Sequence, residues 1–325
     1  MAGQVNPIKN TKYLKPQEHW GWPIAVYLYL AGMGAGSFII GIMWDWLGYS
    51  LYPSNAILLC GIILVPIGAL FLILDLGTKS RFMNAVRNPR TSWLSRGFLI
   101  LSAYIAFGTV TLILSFLPLV GITVLPSLFL ALEAIGLIFA FLTAIYTGIL
   151  LQSLKYIPFW NTALLPILFL ISALSTGSML VILLILVTRL FTPQAAYTSH
   201  PIDMLTRTEQ ILVFIVAFIL GLFLLLRYRV NEQGKSSVHL LLSGSSKFGF
   251  WTGIVLLGFF FPIVLEAIYS GVLKSAYLLL VIGISLLVGG FLLRFLVISA
   301  GIKQQIPMHR LTELKYNLRV LKKKR

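Results

Sequence analysis

Eight apolar runs fill this sequence of 325 residues, and no histidine lies in the interior of any of them. They fall at 22–44, 55–76, 94–118, 123–151, 162–190, 208–228, 249–270 and 276–300. A helix of about 20 apolar residues crosses the hydrocarbon core of a bilayer and satisfies its own backbone hydrogen bonds. With 58% hydrophobic and 10% charged residues, the protein has more apolar surface than a soluble domain of its length could bury. The expected fold is all-α integral membrane. Eight transmembrane helices over 22–300 stand between an N-terminal segment, 1–21, and a basic tail, 301–325. No removable signal peptide is expected, because the first 20 residues are polar.

The missing histidines exclude the usual membrane redox centre. A transmembrane haem takes axial ligands from the protein, commonly His. His19, His200, His239 and His309 all lie outside the hydrophobic cores, so no haem is expected. No histidine pair has metal spacing, and the lone Cys60 cannot hold an iron–sulfur cluster. Cys60 reads as a packing residue of the second helix.

The net charge of +16 is a topology signal, not a nucleic-acid one. The side that holds both termini carries 21 of the 25 Lys and Arg residues. The opposite side carries three, Arg189, Arg207 and Lys274, and Arg294 lies inside the last run. This asymmetry places both termini in the cytoplasm, with the Lys322–Arg325 run against anionic headgroups.

Two halves are suggested by a parallel repeat. Ala31–Ser37 in the first helix and Ser172–Ser178 in the fifth are small-residue stretches on helices of the same direction. Ile63–Leu64–Val65 and Ile211–Leu212–Val213 follow at similar offsets, as two four-helix bundles would require. The Gly32-xxx-Gly36 spacing permits close helix packing, or room for a flat ligand.

Ionisable residues within a span are costly and mark function. The candidates are Asp75, Glu133, Glu266 and Arg294, with Asp45 at a helix end. By topology, His19, Trp20, Asp75, Arg81, Tyr146, Asn161 and Arg294 share a level near the cytoplasmic face, whereas Glu133 lies deeper and Glu266 near the outer face. A quinone site calls for such types: an apolar wall for ring and tail, donors for two carbonyl oxygens, and a titratable group to exchange protons. Structural readings stand beside this one. Asp75 could end its helix and pair with Lys79 or Arg81. Trp20, Trp22, Trp93 and Trp160 could form an aromatic belt, and Tyr146 could anchor its helix at the headgroups. Glu133 could belong to an ion pair. The sequence shows no redox centre of its own, so electrons to or from a quinone must pass directly to a docked partner.

At these residues the sequence resembles the polysulfide reductase membrane-anchor family of the NrfD/PsrC type. The resemblance is carried by Trp20–Gly21–Trp22–Pro23 leading into Tyr27–Gly32, and by Leu74–Asp75–Leu76–Gly77 followed by Arg81–Phe82 and Trp93. It continues in Ala144–Gly148, Pro158–Phe159–Trp160–Asn161, Leu164–Pro166, Ser172–Ser175 and Gly289–Arg294. It covers about 20–300. It implies a subunit that is not catalytic alone, binds menaquinone or ubiquinone, and exchanges electrons with an iron–sulfur subunit serving a molybdopterin catalytic subunit. His19, Asp75 and Tyr146, with Arg81 and Asn161, are the quinone residues it implies. Glu133 and Glu266 would serve proton coupling. Many family members dock their partner outside the cytoplasm at this same face; the charge count favours a cytoplasmic partner. Two other classes remain: a secondary transporter using Glu133 and Glu266 for ion coupling, and an anchor without a ligand.

Overall fold

The computed structural model describes residues 20–49, 54–75, 90, 92–191, 199–271 and 275–303. Among them, eight helices are long and apolar enough to cross a membrane. The first four are α1 (Trp22–Trp46), α2 (Ser54–Asp75), α3 (Trp93–Phe116) and α4 (Pro126–Gln152). The fifth and sixth are α5 (Leu164–Phe191) and α6 (Ser199–Val230). A shorter helix, α7 (Glu232–Leu242), follows. The seventh span is a π-helix (Gly249–Phe260) continuing as α8 (Phe261–Gly271), and the eighth is α9 (Ala276–Ser299).

Two elements extend past the apolar runs. The polar stretch before residue 208 belongs to α6, which begins at Ser199 with Pro201 in its first turn. The stretch 229–248, expected as a loop, contains α7. Asn231 caps it, its Oδ1 accepting from the Gly234 N–H at 2.7 Å. Its buried residues, Gly234, Ser237, Val238 and Leu241, recur with helical period and form one face.

Burial shows which helices are central. In the apolar core of α1, 78% of residues are buried, and in that of α5, 61%; the other spans range from 28% to 39%. Lipid rewards no apolar face over another, so central helices must gain from close contact. Their small residues supply it. A Cβ on Gly36 would collide with the Ala173 backbone, and one on Gly177 with the backbone of Gly36 and Ser37. The glycines thus let α1 and α5 cross with their backbones touching.

The same stretches, 31–37 and 172–178, meet each other, which is what a pseudo-twofold relation between halves produces. Other contacts repeat in the same sense. α1 packs on α2 as α5 does on α6, and α3 on α4 as the π-helix does on α9. α1 also packs on α4 as α5 does on α9. Ile63 and Ile211 are exposed, whereas Val65 and Val213 are buried. The structure is therefore two parallel four-helix bundles joined through α1 and α5.

Candidate functional site

Tyr146 projects from α4 toward α1 and α3. Its ring lies against Gly97 of α3 so closely that any Cβ at position 97 would occupy the ring's own volume. Its hydroxyl forms a hydrogen bond with that of Tyr27 on α1. Both tyrosines are buried, Tyr146 at 1% exposure, so its ring faces the interior of the bundle and not its surface.

The two tyrosines line a cleft of about 120 Å³. Its walls are otherwise apolar, with Leu72 and Ile73 from α2 and Phe98, Leu101 and Ile105 from α3. Ser102 adds one hydroxyl. Phe98 is 40% exposed and Ser102 is also exposed, so the cleft opens sideways between α2 and α3, where lipid would lie. Tyr27 lies near the start of α1 and Tyr146 near the end of α4, which puts the cleft at the face that carries residues 20 and 303. We call this the terminal face. An apolar cleft with few polar groups among its lining is the usual form of a small-molecule site.

The residues expected at this level are only partly gathered here. Tyr146 lines the cleft. Asp75 ends α2 two residues beyond the lining residue Ile73. His19 and Arg81 lie outside the described residues. Trp20 packs on Trp160 at 5.8 Å between ring centroids. Asn161 is exposed, and its carbonyl oxygen accepts from Arg227 at 3.1 Å. Tyr27, absent from the expected set, reads in the sequence as one more aromatic of an apolar helix. Trp160 is no belt residue: it is fully buried and donates from Nε1 to the Val297 carbonyl at 2.8 Å. Trp22 and Trp93 are exposed, as an aromatic belt requires.

The buried charges occupy other places. Arg294, on α9, has no solvent exposure and lies where both bundles meet. It donates to Ser172 Oγ at 3.0 Å and to the Gly290 carbonyl, and its guanidinium lies over the rings of Tyr29 and Phe169 at 5.4 Å. The sequence puts it level with Tyr146; the structure gives it to the second bundle. Glu133, for which an ion pair is one reading of the sequence, accepts from Trp46 Nε1 of α1 at 2.8 Å. It shares a small cavity with the exposed Asp45 at the far face. Glu266 is 1% exposed and meets the carboxyl of Glu209. Glu209 stands one residue inside the sixth apolar run as read from sequence. With α6 beginning at Ser199, it lies about 15 Å along the helix.

Eight membrane-crossing helices in two parallel bundles, with a sideways cleft in one of them, define a multi-pass membrane protein. The chain belongs to the polysulphide reductase NrfD family, whose pattern matches residues 12–306. It is 29% identical over 305 residues to the C subunit of polysulfide reductase from Wolinella succinogenes, covering 87% of this protein and 94% of that one. It is 28% identical over 312 residues to protein NrfD of Escherichia coli K12, covering 87% and 94%. A NrfD homolog of Haemophilus influenzae is 29% identical over 312 residues, covering 88% and 95%.

Proposed function

We propose that this protein is the quinone-reactive membrane subunit of a respiratory oxidoreductase, and that the quinone ring occupies the cleft between Tyr146 and Phe98. The single observation that carries this reading is the form of the cleft. It is apolar, opens toward lipid, and is lined by two buried tyrosines. Quinones travel within the bilayer, so a sideways opening suits their long apolar tails. In this reading the Tyr146 hydroxyl donates to one carbonyl oxygen. His19, Trp20, Asp75, Arg81 and Asn161 are assigned to the mouth of the site at the terminal face, on the family resemblance.

Reducing a quinone to a quinol takes two electrons and two protons. The electrons come from, or in the reverse direction go to, an iron–sulfur subunit docked on the terminal face, with a molybdopterin catalytic subunit beyond it. The Wolinella relative is named as one lettered part of polysulfide reductase, which fits membership of a multi-subunit enzyme. Menaquinone and ubiquinone share the ring chemistry the cleft would accept. The excess of Lys and Arg in the loops of the terminal face supports a cytoplasmic position for it, in a protein of the inner cell membrane. The transporter alternative would need Glu133 and Glu266 to serve one ion site. Among the described residues Glu133 accepts from Trp46 and Glu266 faces Glu209, on different helices and in separate places.

The test is to fill the cleft. Ala69 lines it on α2, and Ala69→Phe would place a ring in the slot. Quinone-linked electron transfer by the complex should be lost while the partner subunits still co-purify. Full activity of a complex with the cleft filled would sink the assignment.

A further inference from the structure

The turn from α6 to the seventh span leaves a basic rim that the quinone reading does not use. α6 reaches the terminal face at Val230, and the π-helix re-enters the apolar layer at Gly249. Between them α7 packs on α6 and touches the π-helix. Its buried residues Val238 and Leu241 join the core that holds Phe159, Trp160 and Phe223, so α7 closes the end of the second bundle. Its opposite face looks outward, with Glu232 and His239 exposed and Lys235 half-buried. Tyr228 and Arg229 are exposed before its first turn, and Ser243, Ser245, Lys247 and Phe248 after its last.

The cations of this rim lack counter-charges. Arg227 is used inside the fold, where it donates to the carbonyls of Pro158 and Asn161. Arg229, Lys235 and Lys247 are not. Among the described residues none of the three is paired with a carboxylate, and Glu232 is the only acid between 227 and 247. The Lys235 ammonium lies over the Tyr228 ring, 5.6 Å from its centroid, which steadies the side chain and leaves its N–H donors open. The flank of the rim is apolar: Phe248 is 76% exposed and Trp251 52%. A tryptophan at a membrane boundary ordinarily offers its polar edge to the wet side. Trp251 instead donates from Nε1 to the Leu242 carbonyl of α7 at 3.1 Å, so its ring presents only apolar surface outward.

We propose that the rim formed by Tyr228, Arg229, Lys235, Lys247, Phe248 and Trp251 seats anionic phospholipids of the terminal leaflet, and that these lipids hold α7 on the end of the second bundle. A free phosphate would satisfy the cations and leave the rings bare. An acidic protein surface would reach the cations but not Trp251, which stands inside the seventh span. An anionic phospholipid meets both, its phosphate accepting from Lys and Arg and its chains covering the rings. A zwitterionic lipid carries its own cation beside the phosphate and leaves the three side chains uncompensated. α7 has 11 residues, about 16 Å, so its two basic ends each take a phosphate of their own. The inference stands apart from the quinone cleft, which lies in the first bundle.

The test places the full chain in bilayer discs and follows quenching of indole fluorescence by phospholipids with brominated chains. The share of Trp251 is taken as the difference between the native chain and Trp251→Phe. Brominated phosphatidylglycerol should quench that share at a lower mole fraction than brominated phosphatidylcholine. Lys247→Gln should reduce the preference about fivefold, and Arg229→Gln, Lys235→Gln and Lys247→Gln together should abolish it. Arg90→Gln with Lys155→Gln, which removes cations elsewhere on the terminal face, should leave it intact. A second measurement is melting: phosphatidylglycerol should raise the melting temperature of the native chain and not that of the triple variant. Equal quenching by both lipids in the native chain, or an unchanged preference in the triple variant, would overturn the proposal. So would a preference lost equally in the Arg90 and Lys155 control. Inorganic phosphate that raises melting as far as the lipid does would make the rim a site for a free anion and overturn the lipid assignment. Loss of partner subunits from the triple variant, with lipid preference intact, would make it a protein-docking surface and overturn it likewise.

Discussion

Tyr146 lies six residues before the end of α4, and Arg294 five before the end of α9, which holds the matching place in the second bundle. In the first bundle that place faces Gly97 and Tyr27, and an apolar cleft opens to the side. In the second it faces Ser172 and Phe169, and the space left is about 20 Å³ with polar neighbours. One scaffold, used twice, takes a neutral ring in one copy and a cation in the other. A helix pair that crosses at glycine fixes the backbones, so the residue at that one depth decides whether the interior admits an apolar guest or a file of hydrogen bonds.

The largest expected effect would break the shared scaffold itself. Gly177→Val drives side-chain atoms into the backbone of α1, which cannot yield as a flexible side group does. The cost should exceed the ~3 kcal/mol of ordinary overpacking, so folded protein in detergent should be lost. Gly221→Val, at a position with nothing within 4 Å, should leave yield and melting unchanged. Equal behaviour of the two variants would remove the α1–α5 crossing as the joint between halves.

A second change separates the bundles. Gly97→Ala must displace the Tyr146 ring, and quinone-linked turnover should fall by at least about tenfold, the equivalent of ~1.4 kcal/mol. The matching substitution of a second-bundle glycine, Gly283→Ala, meets only the flexible end of Leu183 and should leave turnover intact. Steady-state quinone kinetics on both variants would show whether the cleft belongs to one half alone.

Much of the architecture is legible in the residues, because length and hydropathy are local properties of each run. The small-residue stretches that join the halves are visible for the same reason. The site is less legible. Tyr146 stands out as a polar residue in a helix, but Tyr27 does not, since its partner lies more than a hundred residues away. Gly97 looks like any helical glycine until the ring beside it is placed. Glu209 is hidden by α6 itself: the polar stretch 199–207 reads as a loop, which moves the glutamate from the helix interior to its edge. Glu133 is conspicuous, yet Trp46 as its donor is not, because that pairing depends on how α1 and α4 are packed.

A smaller effect sharpens the contrast further. Tyr146→Phe keeps the ring and removes the hydroxyl, so the cleft should survive with the loss of about one hydrogen bond, ~1 kcal/mol. Quinone affinity, followed by inhibitor titration, should weaken about fivefold. Unchanged affinity would take the hydroxyl out of the site. The smallest effect belongs to the far face of the first bundle. Trp46→Phe removes the donor to Glu133 and should cost about 0.5–1.5 kcal/mol in thermal unfolding, with electron transfer unaltered.

The most direct measurement is to label the assembled complex with a photoactivatable quinone and map the modified peptides. Attachment to α2 and α3 near Leu72, Phe98 and Ser102, competed by unlabelled quinone, is the expected result. Competed labelling confined to the second bundle, with none on the walls of the cleft, would contradict it.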